Sequence, residues 1–155
     1  MSNTWKLILS FALVFVVAAG GSVATYDAIP TWYATLTKPP FNPPNWIFGP
    51  VWTLLYIGMA ISLFLVWKEK KSKLQAKAIK VFMVQLFLNF LWSIVFFGAQ
   101  NPGLALLTIV LLWSSIFYSI VLFHKINKTA SYLLIPYILW VSFASVLNLF
   151  IFLLN

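Results

Sequence analysis

The sequence predicts an all-α integral membrane protein: a single membrane domain over residues 1–155, built as a five-transmembrane-helix bundle with a long proline-rich first loop as its lid. Three observations predict it. Of the 155 residues, 63% are hydrophobic and 8% charged, with a mean hydropathy of +0.97, against roughly 45–50% apolar and 25% charged in a soluble domain. The uncharged residues form runs long enough to cross a hydrocarbon core of about 30 Å, which takes about 20 residues of helix. The lysines gather between those runs, almost all on alternate connections.

The first run, residues 7–25, lies between Lys6 and Asp27. Its end at Ala18-Ala19-Gly20 resembles a signal-peptide cleavage site, but the stretch exceeds the usual apolar core of about 7–15 residues, so a retained span is expected. The second run, 46–67, stops at Lys68-Glu69-Lys70-Lys71. Lys80 and Lys125 then enclose 44 uncharged residues, too many for one span. The turn composition of Gly98-Ala99-Gln100-Asn101-Pro102-Gly103 divides them into spans 81–97 and 104–123. The fifth run is 130–154, with Pro136 in its first turns, where neighbouring helices can satisfy the freed carbonyl.

Short loops rich in Lys stay cytoplasmic. Nine of the ten lysines fall at the N-terminus, in the second loop (Lys68 to Lys80) and in the fourth (Lys125, Lys128), leaving Lys38 alone on the other side. The expected topology has the N-terminus in the cytoplasm and the first loop outside. Ten Lys without Arg or an Arg/Ser-rich leader fit a bacterial plasma membrane. Topology also explains the net charge of +8, so no nucleic-acid partner is expected; membrane lipid headgroups are the natural contact for the basic loop. With no Cys, one His and two acids, the chain lacks the usual sets for a metal cage, a thiolate nucleophile or a carboxylate pair. Aromatic residues make up 19% and are the expected recognition surface.

The loop 26–45 contains Pro30, Pro39, Pro40, Pro43 and Pro44. Proline fixes φ and biases its predecessor toward extended backbone, so 38–44 is expected to run extended and pre-ordered as a stiff lid. Long ordered loops of this kind are usually functional. Within the spans, Gln85, Asn89, Trp92 and Phe96 fall at i, i+4, i+7, i+11, and Trp52, Tyr56, Met59 and Leu63 do the same; Tyr137, Trp140, Ala144 and Asn148 follow i, i+3, i+7, i+11. Each stripe is aromatic with few polar heads, which suits an apolar ligand pocket. The amides serve equally well as interhelical glue, worth about 0.6 kcal/mol each.

Trp32-Tyr33-Ala34, Lys38-Pro39, Pro43-Pro44, Trp46, Gly49-Pro50-Val51-Trp52, Leu55-Tyr56 and Leu65-Val66-Trp67-Lys68-Glu69 closely resemble the translocator protein family, also called tryptophan-rich sensory proteins (TspO) or peripheral-type benzodiazepine receptors. Gln85, Leu88-Asn89, Trp92 and Phe96-Phe97-Gly98-Ala99 resemble its third helix, and Pro136-Tyr137, Trp140, Phe143-Ala144 and Leu147-Asn148 its fifth. The resemblance implies a receptor or sensor binding porphyrins such as protoporphyrin IX, and isoquinoline-carboxamide or benzodiazepine-type ligands, in a cavity under the first loop, with no cofactor required. It carries Tyr33, Pro43, Trp52, Asn89, Trp140, Ala144 and Leu147 into the ligand site; the stripes add Ile47, Gln85 and Trp92.

Alternative activities implied by the family are transport of porphyrin-like solutes and light-dependent porphyrin breakdown. The spans carry no acid or base to couple ions or catalyse. In the breakdown reading, therefore, the porphyrin brings the chemistry and Trp52 and Trp140 are the nearby redox-active side chains. The animal members' sterol segment needs Tyr and then Arg after the fifth-helix Asn; neither follows Asn148, so sterol binding is not expected. The fourth helix has Thr108 where many relatives carry an acid. A homodimer is expected, its helices brought close by small pairs such as Ala18/Ser22, Gly20/Ala24, Gly21/Thr25 or Gly58/Ser62.

Overall fold

Five long apolar helical segments make up the computed structural model, which describes all residues 1–155. Helix α1 (Asn3–Ala28) continues as a π-helical turn over Ile29–Tyr33. Helix α2 is Asn45–Trp67, and α3 (Lys73–Ser93) runs on through a second π turn, Ile94–Gly98. Helix α4 is Pro102–His124; α5 (Lys128–Leu133) and α6 (Ile135–Leu154) share the fifth span, broken at Leu134 ahead of Pro136. Around the bundle the order is α1, α2, α5 with α6, α4, and α3, which returns to α1. In lipid both faces of a helix are apolar, so polar and small residues decide which face turns inward. On α4, Thr108, Ile109, Leu112 and Ile116 are buried while Leu107, Val110 and Phe117 face outward.

Three boundaries differ from the sequence expectation. The lid is not 26–45: residues up to 35 are helical, and only 36–44 lack helix. Pro30 brings no N–H to the ladder, but the π turn absorbs it and Thr31 Oγ1 donates to the Asp27 carbonyl at 2.6 Å, so the chain need not leave the helix. Nor does 38–44 run extended throughout. Asn42 N–H donates to the Pro39 carbonyl at 3.0 Å across a turn centred on Pro40 and Phe41, using proline's preference for the first central turn position. Lastly, Lys73, Lys77 and Lys80 stand on the first turns of α3, capped by Ser72, instead of in a loop. Charges end a membrane span without ending its helix, which here begins eight residues before position 81.

The lysine-rich end is held by polar groups from several helices. Gln75, buried on α3, donates from Nε2 toward the carbonyls of Val66 (2.9 Å), Trp67 (3.2 Å) and Glu69 (2.9 Å), closing the open end of α2. Lys6 Nζ also reaches the Trp67 carbonyl at 3.2 Å, and Asn127 Nδ2 donates to Glu69 Oε1 at 3.1 Å. Ser62 Oγ donates to the Ala130 carbonyl at 2.7 Å, while a Cβ on Gly58 would stand 3.3 Å from the Leu133 carbonyl. The pair Gly58/Ser62 therefore brings α2 against α5 of the same chain and offers no dimer face. Gly20 packs on the Phe90 ring, Gly21 on Ser93, and Ala24 faces Gly98. Small residues permit close approach of any two helices, and the sequence does not say whether the second belongs to the same chain.

Replacing Gln75 with Leu roughly keeps the volume but removes the side-chain donor shared by three carbonyls, leaving Val66 with the Glu69 N–H at 3.3 Å, Trp67 with only Lys6 Nζ, and Glu69 without the Gln75 bond. A loss of about 1–3 kcal/mol is expected, the usual cost of leaving buried polar groups unpaired, read by reversible unfolding in mixed micelles.

Candidate functional site

At the end of the bundle opposite the lysines, α2 packs against α5 but draws away from α6, and a cavity of about 650 Å³ fills the gap. Long aromatic side chains bridge what the backbones leave open. Phe48 meets Trp140 edge-on with ring centres 6.0 Å apart, and Trp52 meets Tyr137 at 6.3 Å. The α3 side is walled by Trp92, Phe96 and Phe97, with Trp92 stacked on Phe96 at 5.0 Å. Residues from Phe15 to Ile29 of α1 and its π turn complete the wall.

The lid is fastened over this end. Thr37 and Asn155 exchange two hydrogen bonds, backbone N–H to Oδ1 at 3.0 Å and Nδ2 to backbone carbonyl at 2.9 Å. Phe41 lies against Phe150 (5.3 Å) and Phe143 (6.4 Å) of α6. Tyr33 OH donates to Asn42 Oδ1 at 3.2 Å, and the Lys38 ammonium sits 4.6 Å above the Tyr33 ring.

Of the residues singled out in the sequence, Tyr33, Trp52, Trp92, Trp140, Ala144 and Leu147 line the cavity. Gln85 and Asn89 do not. They lie deeper, in a buried chain of hydrogen bonds joining three helices. Tyr56 OH donates to Asn89 Oδ1 (2.9 Å), Asn89 Nδ2 to Tyr137 OH (2.8 Å), and Tyr137 OH to Gln85 Oε1 (2.7 Å). The two amides thus act as interhelical glue beneath the cavity, the second of the two roles open to them. Pro43, half-buried in the lid, and Ile47, in the first turn of α2, also lie off the cavity wall. Asn148 does line it, but is spent as a tether: Oδ1 accepts from Trp92 Nε1 at 3.0 Å and Nδ2 donates to the Pro102 carbonyl at 2.8 Å.

Sequence reasoning missed two parts of the wall. Helical spacing places Phe96 with Trp92 but turns Phe97 away; the π turn widens the repeat and brings both inward. The α1 wall was legible only as the small cluster Ala18 to Ser22, which reads as a packing face.

The sequence profile of the TspO/MBR family matches residues 10–154. The chain belongs to that family. It is 45% identical to the tryptophan-rich protein TspO of Archaeoglobus fulgidus over 99% of each chain. It is 33% identical to the tryptophan-rich sensory protein of Cereibacter sphaeroides over 96% of this chain and 90% of that one. Against the human translocator protein it is 37% identical over 76% of this chain and 70% of that one. This family member is accordingly a multi-pass integral membrane protein, its five spans those described above.

Tyr137→Phe removes the hydroxyl that both accepts from Asn89 and donates to Gln85, leaving two buried amide groups short of a partner. A loss of about 1–3 kcal/mol is expected. Asn89→Leu is expected to act in the same way, lowering the unfolding midpoint without altering the cavity wall; differential unfolding of the two variants in detergent checks both.

Proposed function

We propose that this protein is a membrane receptor of sensor type that binds porphyrins, protoporphyrin IX among them, and other flat hydrophobic molecules in the cavity beneath the lid. One observation carries the reading. Trp140 Nε1 is the single buried side-chain polar atom in the protein without a hydrogen-bond partner, and its indole forms part of the cavity wall. An unpaired buried donor costs about 1–3 kcal/mol. Nε1 itself is closed off from the cavity, so a ligand carbonyl or carboxylate relieves that cost on a rotation of the indole that turns the N–H toward it. The remaining surface suits a flat conjugated body, since stacked and edge-on ring contacts add about 0.5–1.5 kcal/mol each beyond area burial. The volume of about 650 Å³ falls within the usual range for small-molecule sites.

No acid, lysine or histidine lines the cavity, so the wall supports recognition better than ion-coupled transport, and any chemistry beyond binding comes from the ligand. The names of the relatives, sensory protein and translocator protein, are compatible with this reading. We place the lysine-rich end and the N-terminus in the cytoplasm, on the strength of nine lysines against one. The membrane we infer is a bacterial plasma membrane, and the working unit a homodimer.

Titrating protoporphyrin IX against tryptophan fluorescence tests the site. Trp52→Ala is expected to weaken binding about tenfold. Trp140→Phe keeps a ring but loses the donor, and a hydrogen bond of about 0.5–1.5 kcal/mol corresponds to roughly 2–10-fold in Kd. The same variant without ligand is expected to be no less stable than the natural protein, because the lost N–H had no partner. Unchanged affinity in both variants refutes the site.

A further inference from the structure

We propose that ligands reach the cavity sideways from the bilayer, through a slot between α1 and α2 in the leaflet on the lid side, and not from the water above the lid. The proposal rests on the cavity being a ligand site. Its walls differ in how closed they are. On α6, Leu147, Asn148 and Ile151 are buried. On α1 and α2, by contrast, the lining residues Ala19, Ser22, Tyr26, Trp46, Gly49 and Thr53 are all exposed, Tyr26 and Trp46 by 81% and 73%. The cavity therefore meets its surroundings along these two helices.

The two helices meet at the lysine-rich end, where Lys6 Nζ reaches the Trp67 carbonyl at 3.2 Å, and again at mid-span, where Phe15 meets Tyr56 at 6.3 Å on the floor of the cavity. Toward the lid, the cavity-lining residues of both helices are open to the surface. Small residues on facing helices normally let the helices close, yet a Cβ built on Gly49 would meet nothing within 4 Å. From Ala19 to Tyr26 the slot extends along about 10 Å of helix at 1.5 Å per residue. At its lid-side edge stand Tyr26 and Trp46, amphipathic rings of the kind that sit at headgroup level.

The watery side is covered by a fastened lid. The Thr37–Asn155 pair, the Phe41 contacts and the Tyr33–Asn42 hydrogen bond all hold the lid to the bundle, and Pro39 of the lid is itself buried. The molecule that fits this route is thin, apolar and already dissolved in the bilayer.

The chain contains no cysteine, so Ser22→Cys carries a unique thiol in the slot and Val23→Cys a unique thiol on the neighbouring lipid face, where Val23 is exposed by 76%. Each is reconstituted in nanodiscs, labelled with a bulky maleimide after folding, and mixed with protoporphyrin IX delivered from vesicles, with tryptophan quenching followed by stopped flow. Labelling at residue 22 is expected to slow association at least tenfold relative to the same unlabelled variant. It should slow release from preloaded protein by a similar factor, so that Kd changes little; labelling at residue 23 should alter neither rate. Asn155→Ala, which loosens the lid, should leave association unchanged.

Access through the lid would appear instead as unaltered rates after labelling residue 22, or as faster association in Asn155→Ala; either overturns the slot. Slower association with unaltered release also overturns it, since the label would then be filling the cavity. Absence of saturable binding in the unlabelled natural protein would refute the receptor reading itself, before any label is applied.

Discussion

Inside a bilayer a polar group must find its partner within the protein, and the chain Tyr56–Asn89–Tyr137–Gln85 is where this bundle meets that demand most fully. Each interhelical bond of this kind contributes on average only about 0.6 kcal/mol in a membrane, so the chain's main effect is asymmetric. Formed, it adds modestly; broken, it strands groups that cost more than the bond supplied. That asymmetry fixes the rotation of α2, α3 and α6 about their own axes, which apolar side chains alone leave loose because lipid is as good a neighbour as leucine.

The same chain sets the character of the cavity above it. By engaging Gln85, Asn89 and both tyrosine hydroxyls, it withdraws them from any ligand, and Asn148 is likewise occupied by Trp92 and Pro102. What remains on the wall is largely ring surface, with one buried donor at Trp140 left over. The lid works by a related economy. A few bonds and ring contacts, from Thr37 to Asn155 and from Phe41 to Phe143 and Phe150, seat a nine-residue connection on the end of α6.

Much of this architecture was legible in the residues. The five spans follow from uncharged length, and Trp52, Trp92 and Trp140 follow from helical spacing on three of them. The departures have local causes. Pro30 and Asp27 look like loop residues, but a π turn accommodates the proline and the helix continues to the lid. Lys73, Lys77 and Lys80 look like a loop because they are charged, although a helix leaving the membrane has no reason to stop at its surface. Phe97 hides from a 3.6-residue repeat because the turn that carries it is wider. Gly20-Gly21 and Gly58/Ser62 are correctly seen as close-approach sites, but their partners lie in the same chain.

The sequence by itself determined the membrane, the number of spans, the shared end of the lysines and an aromatic interior without acids or bases, because each follows from length, charge or composition summed along the chain. Tertiary structure alone decided which polar side chains are consumed as glue and which line open space. Gln85, Asn89 and Trp92 lie on one stripe of one helix, yet two sit in a closed hydrogen-bond chain and the third faces a cavity. Their difference is one of depth: α2 stays close to α5 near one end of the bundle and leaves α6 near the other. Spacing along a single helix holds no record of where its neighbours diverge.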